Sequence, residues 1–188
     1  MGRRLPRRHD DALVLNLIGN TFGIKENIVL KEVSGDILLS KAEVIAHGVA
    51  PGDHFNQGLA LSLRERYPAM AKDFRHYCQI SHPKSGELWA WAGADGRRIV
   101  NLMTQEEASS KKANPGKATA HNVNVALRNL KHLVQEEGFK SLALPRLATG
   151  VGGLQWDDVR ALVENQLGDL SIPVYIYTTF EAGVQADE

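Results

Sequence analysis

Cysteine occurs once in the 188 residues, at Cys78. That excludes an internal disulfide and any zinc cluster built on cysteines. Net charge is missing too, because 22 lysines and arginines cancel 22 aspartates and glutamates. A chain so balanced is not held on nucleic acid mainly by bulk charge, although a local basic patch is compatible with it. No apolar run approaches the ~18 residues of a membrane-spanning helix. The opening MGRRLPRRHDDALVL is followed by no signal-peptide core of adequate length. The expected compartment is therefore the cytoplasm, with no membrane contact. The seven histidines include no HExxH pair, so neither a metal nor a cofactor is implied. Internal repeats and low-complexity segments are absent.

What remains is enough apolar sequence, 43%, for one domain with a real core. Residues 1–10, MGRRLPRRHD, read as a solvated basic arm, with a nucleic-acid contact through Arg3, Arg4, Arg7 and Arg8 as the alternative. Residues 12–24 read as a short strand or a turn. From residue 28 the pattern alternates. IVLKEV (28–33) and EVIAHGV (43–49) read as strands. Residues 57–78 read as helix broken by Pro68. ELWAWAG (87–93) and RRIVNLMT (97–104) flank Asp95-Gly96, a hairpin signal. Trp89 and Trp91 share one face of that hairpin, which points to core. Asn114-Pro115 is the expected N-cap and first residue of a helix burying Val123, Leu127, Leu130 and Val134. SLALP (141–145) reads as a buried strand. A helix from about Gln155 should bury Trp156, Val159, Val163 and Leu167, with Asp157 and Asp158 in its first turn. IPVYIYTT (172–179) closes as a strand. The expected fold is a three-layer α/β/α domain with a mixed central sheet over residues 28–180. Residues 1–27 then form an N-terminal extension and 181–188 a C-terminal tail.

Three stretches can carry chemistry. In VSGDIL (33–38), Asp36 follows the first strand and can accept hydrogen bonds from an exocyclic amine such as adenine's, or can simply cap a turn. In HGVAPGDHFNQGLA (47–60), a polar loop opens a helix and can wrap a ribose or phosphate. In PRLATGVGGLQWDD (145–158), a glycine-rich turn joins a strand to a helix, offering free backbone amides to phosphate. That turn contains neither Gly-Lys-Ser/Thr nor GxGxxG, so the common nucleotide fingerprints do not apply.

Taken in order, VSGDIL, AHGVAPGDHFNQGLA, SGELWAW, RRIVNLMTQEEAS, LALPRLATGVGGLQWDDV and VYIYTTF resemble a macrodomain. The resemblance is to the branch of terminal ADP-ribose protein glycohydrolase and of the antitoxin macrodomains that remove ADP-ribose from DNA. It implies an ADP-ribose cleft at one end of the sheet, and ADP-ribosylated protein or nucleic acid as partner. It puts Asp36 on the adenine amine, Ile37 beside it, and His47 in the cleft. Phe55, Asn56, Gln57, Gly58 and Leu59 would lie against the distal ribose and one phosphate. Thr149, Gly150, Val151 and Gly152 would give amides to the diphosphate. Tyr177 and Phe180 are candidates to stack on adenine, with core or rim packing as the alternative.

The catalytic pair of that branch is absent. Where its nucleophilic lysine stands, this chain has Gln105, and where its assisting aspartate stands, Gly152. A glutamine cannot form a Schiff base, so the lysyl route does not carry over. Gln105 can instead orient a water, with Asp53, His54, Glu106 and His47 as candidate proton carriers and the ligand's own phosphate as a base. Lys111 and Lys112 lie a few residues further on. The expected activity is water-mediated removal of ADP-ribose. The competing readings are a non-catalytic ADP-ribose reader and a nucleic-acid binder.

Overall fold

A computed structural model describes residues 30–188. The basic arm and the segment 12–24 lie outside the described residues. Six strands form one sheet: β1 (Leu30–Gly35), β2 (Val44–Val49), β3 (Leu88–Ala92), β4 (Arg98–Met103), β5 (Leu142–Pro145) and β6 (Val174–Phe180). Their spatial order is β1-β6-β5-β2-β4-β3. Every neighbouring pair is parallel except β3 and β4. That exception is the hairpin expected from Asp95-Gly96, where Gly96 takes φ 84° and Asp95 Oδ1 accepts from Arg97 N at 3.0 Å.

Helices cover both faces. On one side α3 (Ala120–Glu137) and α4 (Trp156–Leu167) pack onto alternate sheet residues such as Val44, Ala46, Val100 and Leu102. On the other, α1 (Gly58–Arg66) and α2 (Pro68–Ser81) cover Ile45, Val49, Ile99 and Met103. The two central strands therefore read as near-continuous apolar runs, as strands buried on both faces must. Each fully buried Leu or Phe contributes about 1.5–3 kcal/mol through surface removed from water. Trp89 and Trp91 join the α1/α2 layer, where Trp89 packs against Phe74 and Tyr77 and Trp91 against Tyr67. Pro68 begins α2, as its ring fits the first turn of a helix and no later one.

Two details depart from expectation. The third helix starts at Ala120, not at Asn114-Pro115, and its cap is Thr119, whose Oγ1 accepts from Asn122 N at 3.0 Å. Residues 116–118 are drawn into extended pairing first: Glu106 N donates to Lys117 O at 3.0 Å and Gly116 N to Glu106 O at 2.9 Å. Those bonds outcompete the local Asn-Pro signal. Trp156 is half-buried at the edge of its layer, while Val159, Val163 and Leu167 are buried as expected.

Strand order reverses around β2, with β4 and β3 to one side and β5, β6 and β1 to the other. The loops leaving the carboxyl ends of β2, β4 and β5 meet at that switch point, where open α/β sheets place their ligands.

Candidate active site

A cavity of about 1240 Å³ opens there, between the loop after β2, the loop after β4 and the turn after β5. Two walls are built from unused backbone donors. Helix α1 has no side-chain cap at Gln57. Among the described residues, the amides of Gly58, Leu59 and Ala60 donate to no protein acceptor. Opposite them, the amides of Thr149, Gly150, Val151 and Gly152 are likewise without a protein acceptor among the described residues. The turn closes on other groups, with Leu154 N donating to Ala148 O at 2.9 Å and Gly153 N to Gly150 O at 3.1 Å. Such amides, with the positive end of a helix dipole beside them, favour an anion.

Both walls are held by non-glycine residues in the left-handed backbone region, Phe55 at φ 55° and Ala148 at φ 60°. Such strain persists only where the surroundings fix it. For Phe55 the anchor is its ring, which is buried and packs 5.1 Å from Phe74 and 6.0 Å from His47. Asp53 fixes the same loop, since Oδ2 accepts from Ala50 N at 3.0 Å and Oδ1 from Phe55 N at 2.8 Å.

The cavity floor is polar and partly pre-set. His47 and Asn101 are register partners on β2 and β4, and His47 Nε2 lies 2.6 Å from Asn101 Oδ1. Because Asn101 Nδ2 faces the Trp89 carbonyl at 3.4 Å, Oδ1 is the acceptor and His47 Nε2 carries the hydrogen. Nδ1 is then the ring's acceptor. Burial lowers the His47 pKa to about 4, against the raising effects of Asn101 and Asp53, so the ring is neutral at pH 7. Gln105 is buried, and its Nε2 donates to Gly116 O at 3.0 Å.

Gly152 sits in a space with no room for a side chain. A Cβ there would lie 2.6 Å from Ala148 O and 2.9 Å from Ala118 Cβ, and Gly152 O accepts from Ala118 N at 3.0 Å. The aspartate of the resembling branch could not be accommodated at this position without moving the backbone.

The residues expected at the site divide into two groups. His47, Asp53, His54, Asn56, Gln57, Gly58, Leu59, Gln105, Gly150, Val151 and Gly152 line the cavity. Within that group the Asn56 Oδ1 is taken by Arg64 Nη1 at 2.6 Å. Phe55 and Thr149 do not line it: the Phe55 ring is core, and Thr149 Oγ1 donates to Arg146 O at 3.0 Å. Asp36, Ile37, Tyr177 and Phe180 lie at the β1/β6 edge instead. Ile37 is buried, Phe180 is 71% exposed, and Tyr177 is buried with its hydroxyl donating to Glu188 Oε1 at 2.5 Å. Burial first, and then Glu188, raise the Tyr177 pKa.

Several lining residues were not singled out in the sequence. Arg75 and His82 reach the cavity from α2 and its C-cap, and Arg146 from the end of β5. Arg146 stacks 5.9 Å over Trp156, so the PRL and LQW portions of the signature meet in space. Lys111, a few residues beyond Gln105, also lines the cavity.

A family model for the Macro domain matches residues 56–163. The chain belongs to the macro domain family. Human ADP-ribose glycohydrolase OARD1 is 27% identical to this macro domain over 147 residues, 78% of this chain and 89% of that one. The DNA ADP-ribosyl glycohydrolase of Mycobacterium tuberculosis is 28% identical over 150 residues, but the match covers 76% of this chain and 40% of that relative. This chain thus spans less than half of the longer protein. Among solved structures, the macrodomain of Thermus aquaticus DarG matches with a TM-score of 0.68 at 25% identity, covering 79% of this chain and 97% of that one. The three-layer architecture with its mixed sheet is that of the macro domain fold.

Proposed function

We propose that this macro domain binds ADP-ribose and hydrolyses its link to a protein carboxylate or a nucleic-acid base. One observation carries the reading: free amides of α1 and of residues 150–152 line opposite walls of one cavity at the sheet's switch point. A diphosphate spans two such walls, and the ribose beyond it points toward Gln105. Relatives named as ADP-ribose and DNA ADP-ribosyl glycohydrolases support the same class. Asp36 and Ile37 receive the adenine end, with Tyr177 and Phe180 beside it.

Breaking the bond at the ribose anomeric carbon builds positive charge on the ring, so the reaction needs a placed water and a nearby base. With Nε2 tied to Gly116, Gln105 offers Oε1 to that water. The ligand's diphosphate, fixed by the amides, accepts the proton from the attacking water. The departing carboxylate or base leaves with the bonding pair and takes up that proton. His47 Nδ1 is a second acceptor on the floor. Asp53 acts through the loop it staples, and His54 acts at the exposed rim.

A binding-only module is the competing reading, favoured by the missing lysine and by the closed space at Gly152. The test is a release assay on a glutamate-modified protein and a thymidine-modified oligonucleotide. Release of ADP-ribose from either supports the hydrolase. Binding to both without release in either supports the reader.

A further inference from the structure

Residues 181–188 leave β6 and fold as a strap across the carboxyl end of β1 and the residues 36–41 that follow it. Glu181 N donates to Gly35 O at 3.1 Å, Asp36 N to Val184 O at 2.7 Å, and Val184 N to Glu181 O at 3.1 Å. The strap lies directly on the backbone. A Cβ at Gly35 would sit 2.8 Å from both Ala186 N and Val184 O, so only glycine admits this approach. Ala186 packs against the α1/α2 layer. At the far end the Glu188 carboxylate accepts from Lys41 N at 2.9 Å, from the Tyr177 hydroxyl at 2.5 Å, and from Ser40 Oγ.

The consequence falls on Asp36. Its Oδ1 accepts from Leu38 N at 3.0 Å, within its own turn, and its Oδ2 accepts from Gly183 N at 3.0 Å, from the strap. One backbone amide on each oxygen fixes the carboxylate plane and leaves a further lone pair on each oxygen for a ligand. Without the strap, Oδ2 has no holder, and the bond from Leu38 N to Oδ1 is the one that still orients the carboxylate.

We infer that Glu188 is a positioning residue for base recognition: it latches the strap so that Gly183 holds Asp36 ready for an exocyclic amine. This rests on the proposed placement of ADP-ribose in the cleft. A carboxylate only accepts, so it pairs with the amine of adenine and is repelled by the carbonyl that hypoxanthine carries at the same position. A hydrogen bond to a charged group corresponds to a preference of roughly 10–150-fold. The strap makes that preference depend on a residue far along the chain from Asp36.

The test compares ADP-ribose with its hypoxanthine analogue by calorimetry, on the full chain, on Glu188→Ala, on Glu188→Gln and on a chain ending at Phe180. The full chain should prefer ADP-ribose by about tenfold or more. In Glu188→Ala and in the shortened chain the preference should fall to about threefold or less, through weaker ADP-ribose binding, while the analogue binds as before. Glu188→Gln keeps an acceptor for Tyr177 and Ser40 and should recover part of the preference. An unchanged preference in Glu188→Ala or the shortened chain overturns the inference while leaving the cleft assignment standing. Tighter ADP-ribose binding without the strap also overturns it, by making the strap a competitor. If the full chain binds neither nucleotide, the cleft assignment fails and this inference fails with it.

Discussion

Gln105 and Gly116 are joined across one loop, the glutamine Nε2 donating to the glycine carbonyl at 3.0 Å. The bond orients a buried carboxamide whose position in the resembling branch belongs to a nucleophilic lysine. It also engages the donor end of the carboxamide, which leaves Oε1 without a protein partner among the described residues. In the proposed mechanism the water sits on Oε1, and the backbone that fixes the carboxamide is the one that pairs Gln105 with Ala118.

Gln105→Ala should lower the rate of ADP-ribose release by about 100-fold, the scale of misplacing a reacting group by about 1 Å. ADP-ribose affinity should change little, since the amide walls remain. Single-turnover release and calorimetry on the same variant separate the two. A parallel fall in affinity would place Gln105 in binding.

Lys111 lines the cavity, so the expectation that no lysyl intermediate forms is open to direct measurement. Treatment with cyanoborohydride in the presence of ADP-ribose should leave the intact mass unchanged, and Lys111→Ala should retain release. A trapped adduct that disappears in Lys111→Ala would restore a covalent route through a displaced lysine.

Gly152 and Gly150 are neighbours in one turn with opposite surroundings. A Cβ at Gly150 meets nothing within 4 Å, whereas one at Gly152 meets Ala148 O at 2.6 Å. Gly152→Ala should cost about 1–3 kcal/mol of stability, as overpacking does, and Gly150→Ala should cost little. Gly152→Asp should be destabilised and should not gain activity. Urea unfolding of the three variants checks the contrast.

His47 makes stability depend on pH. Its folded pKa of about 4 lies below the ordinary 6.5, so between those values the unfolded chain binds the extra proton. Stability from this residue is complete above pH 6.5 and is lost as pH falls toward 4, by about 3 kcal/mol over the window. Urea midpoints at pH 7.5 and 5 should differ less in His47→Gln, which cannot take up that proton. Equal pH dependence in both chains would mean that His47 is not the group responsible.

Local signals in the sequence were reliable where nothing distant competed. Pro68 divided two helices, Asp95-Gly96 turned a hairpin, and Val123, Leu127, Leu130 and Val134 faced the core. The helix start at Asn114-Pro115 failed because Gln105, Glu106, Lys117 and Ala118 pair across the loop, a contact no local window contains. In the cleft, chain order brought together the loop after β2 and the glycine turn. It could not separate Phe55, whose ring turns inward, from Asn56 and Gln57, whose side chains stay out. The strap was hidden for the same reason: Glu188 meets Ser40 and Tyr177 only after the sheet has formed.

The most direct measurement is calorimetric titration of the full chain with ADP-ribose, repeated with ribose 5-phosphate and with AMP. Saturable one-to-one binding of ADP-ribose, much tighter than either fragment, is the predicted result, because only the whole ligand places a diphosphate between both amide walls. No heat with ADP-ribose, together with an unchanged melting temperature in its presence, would contradict the assignment of this cleft.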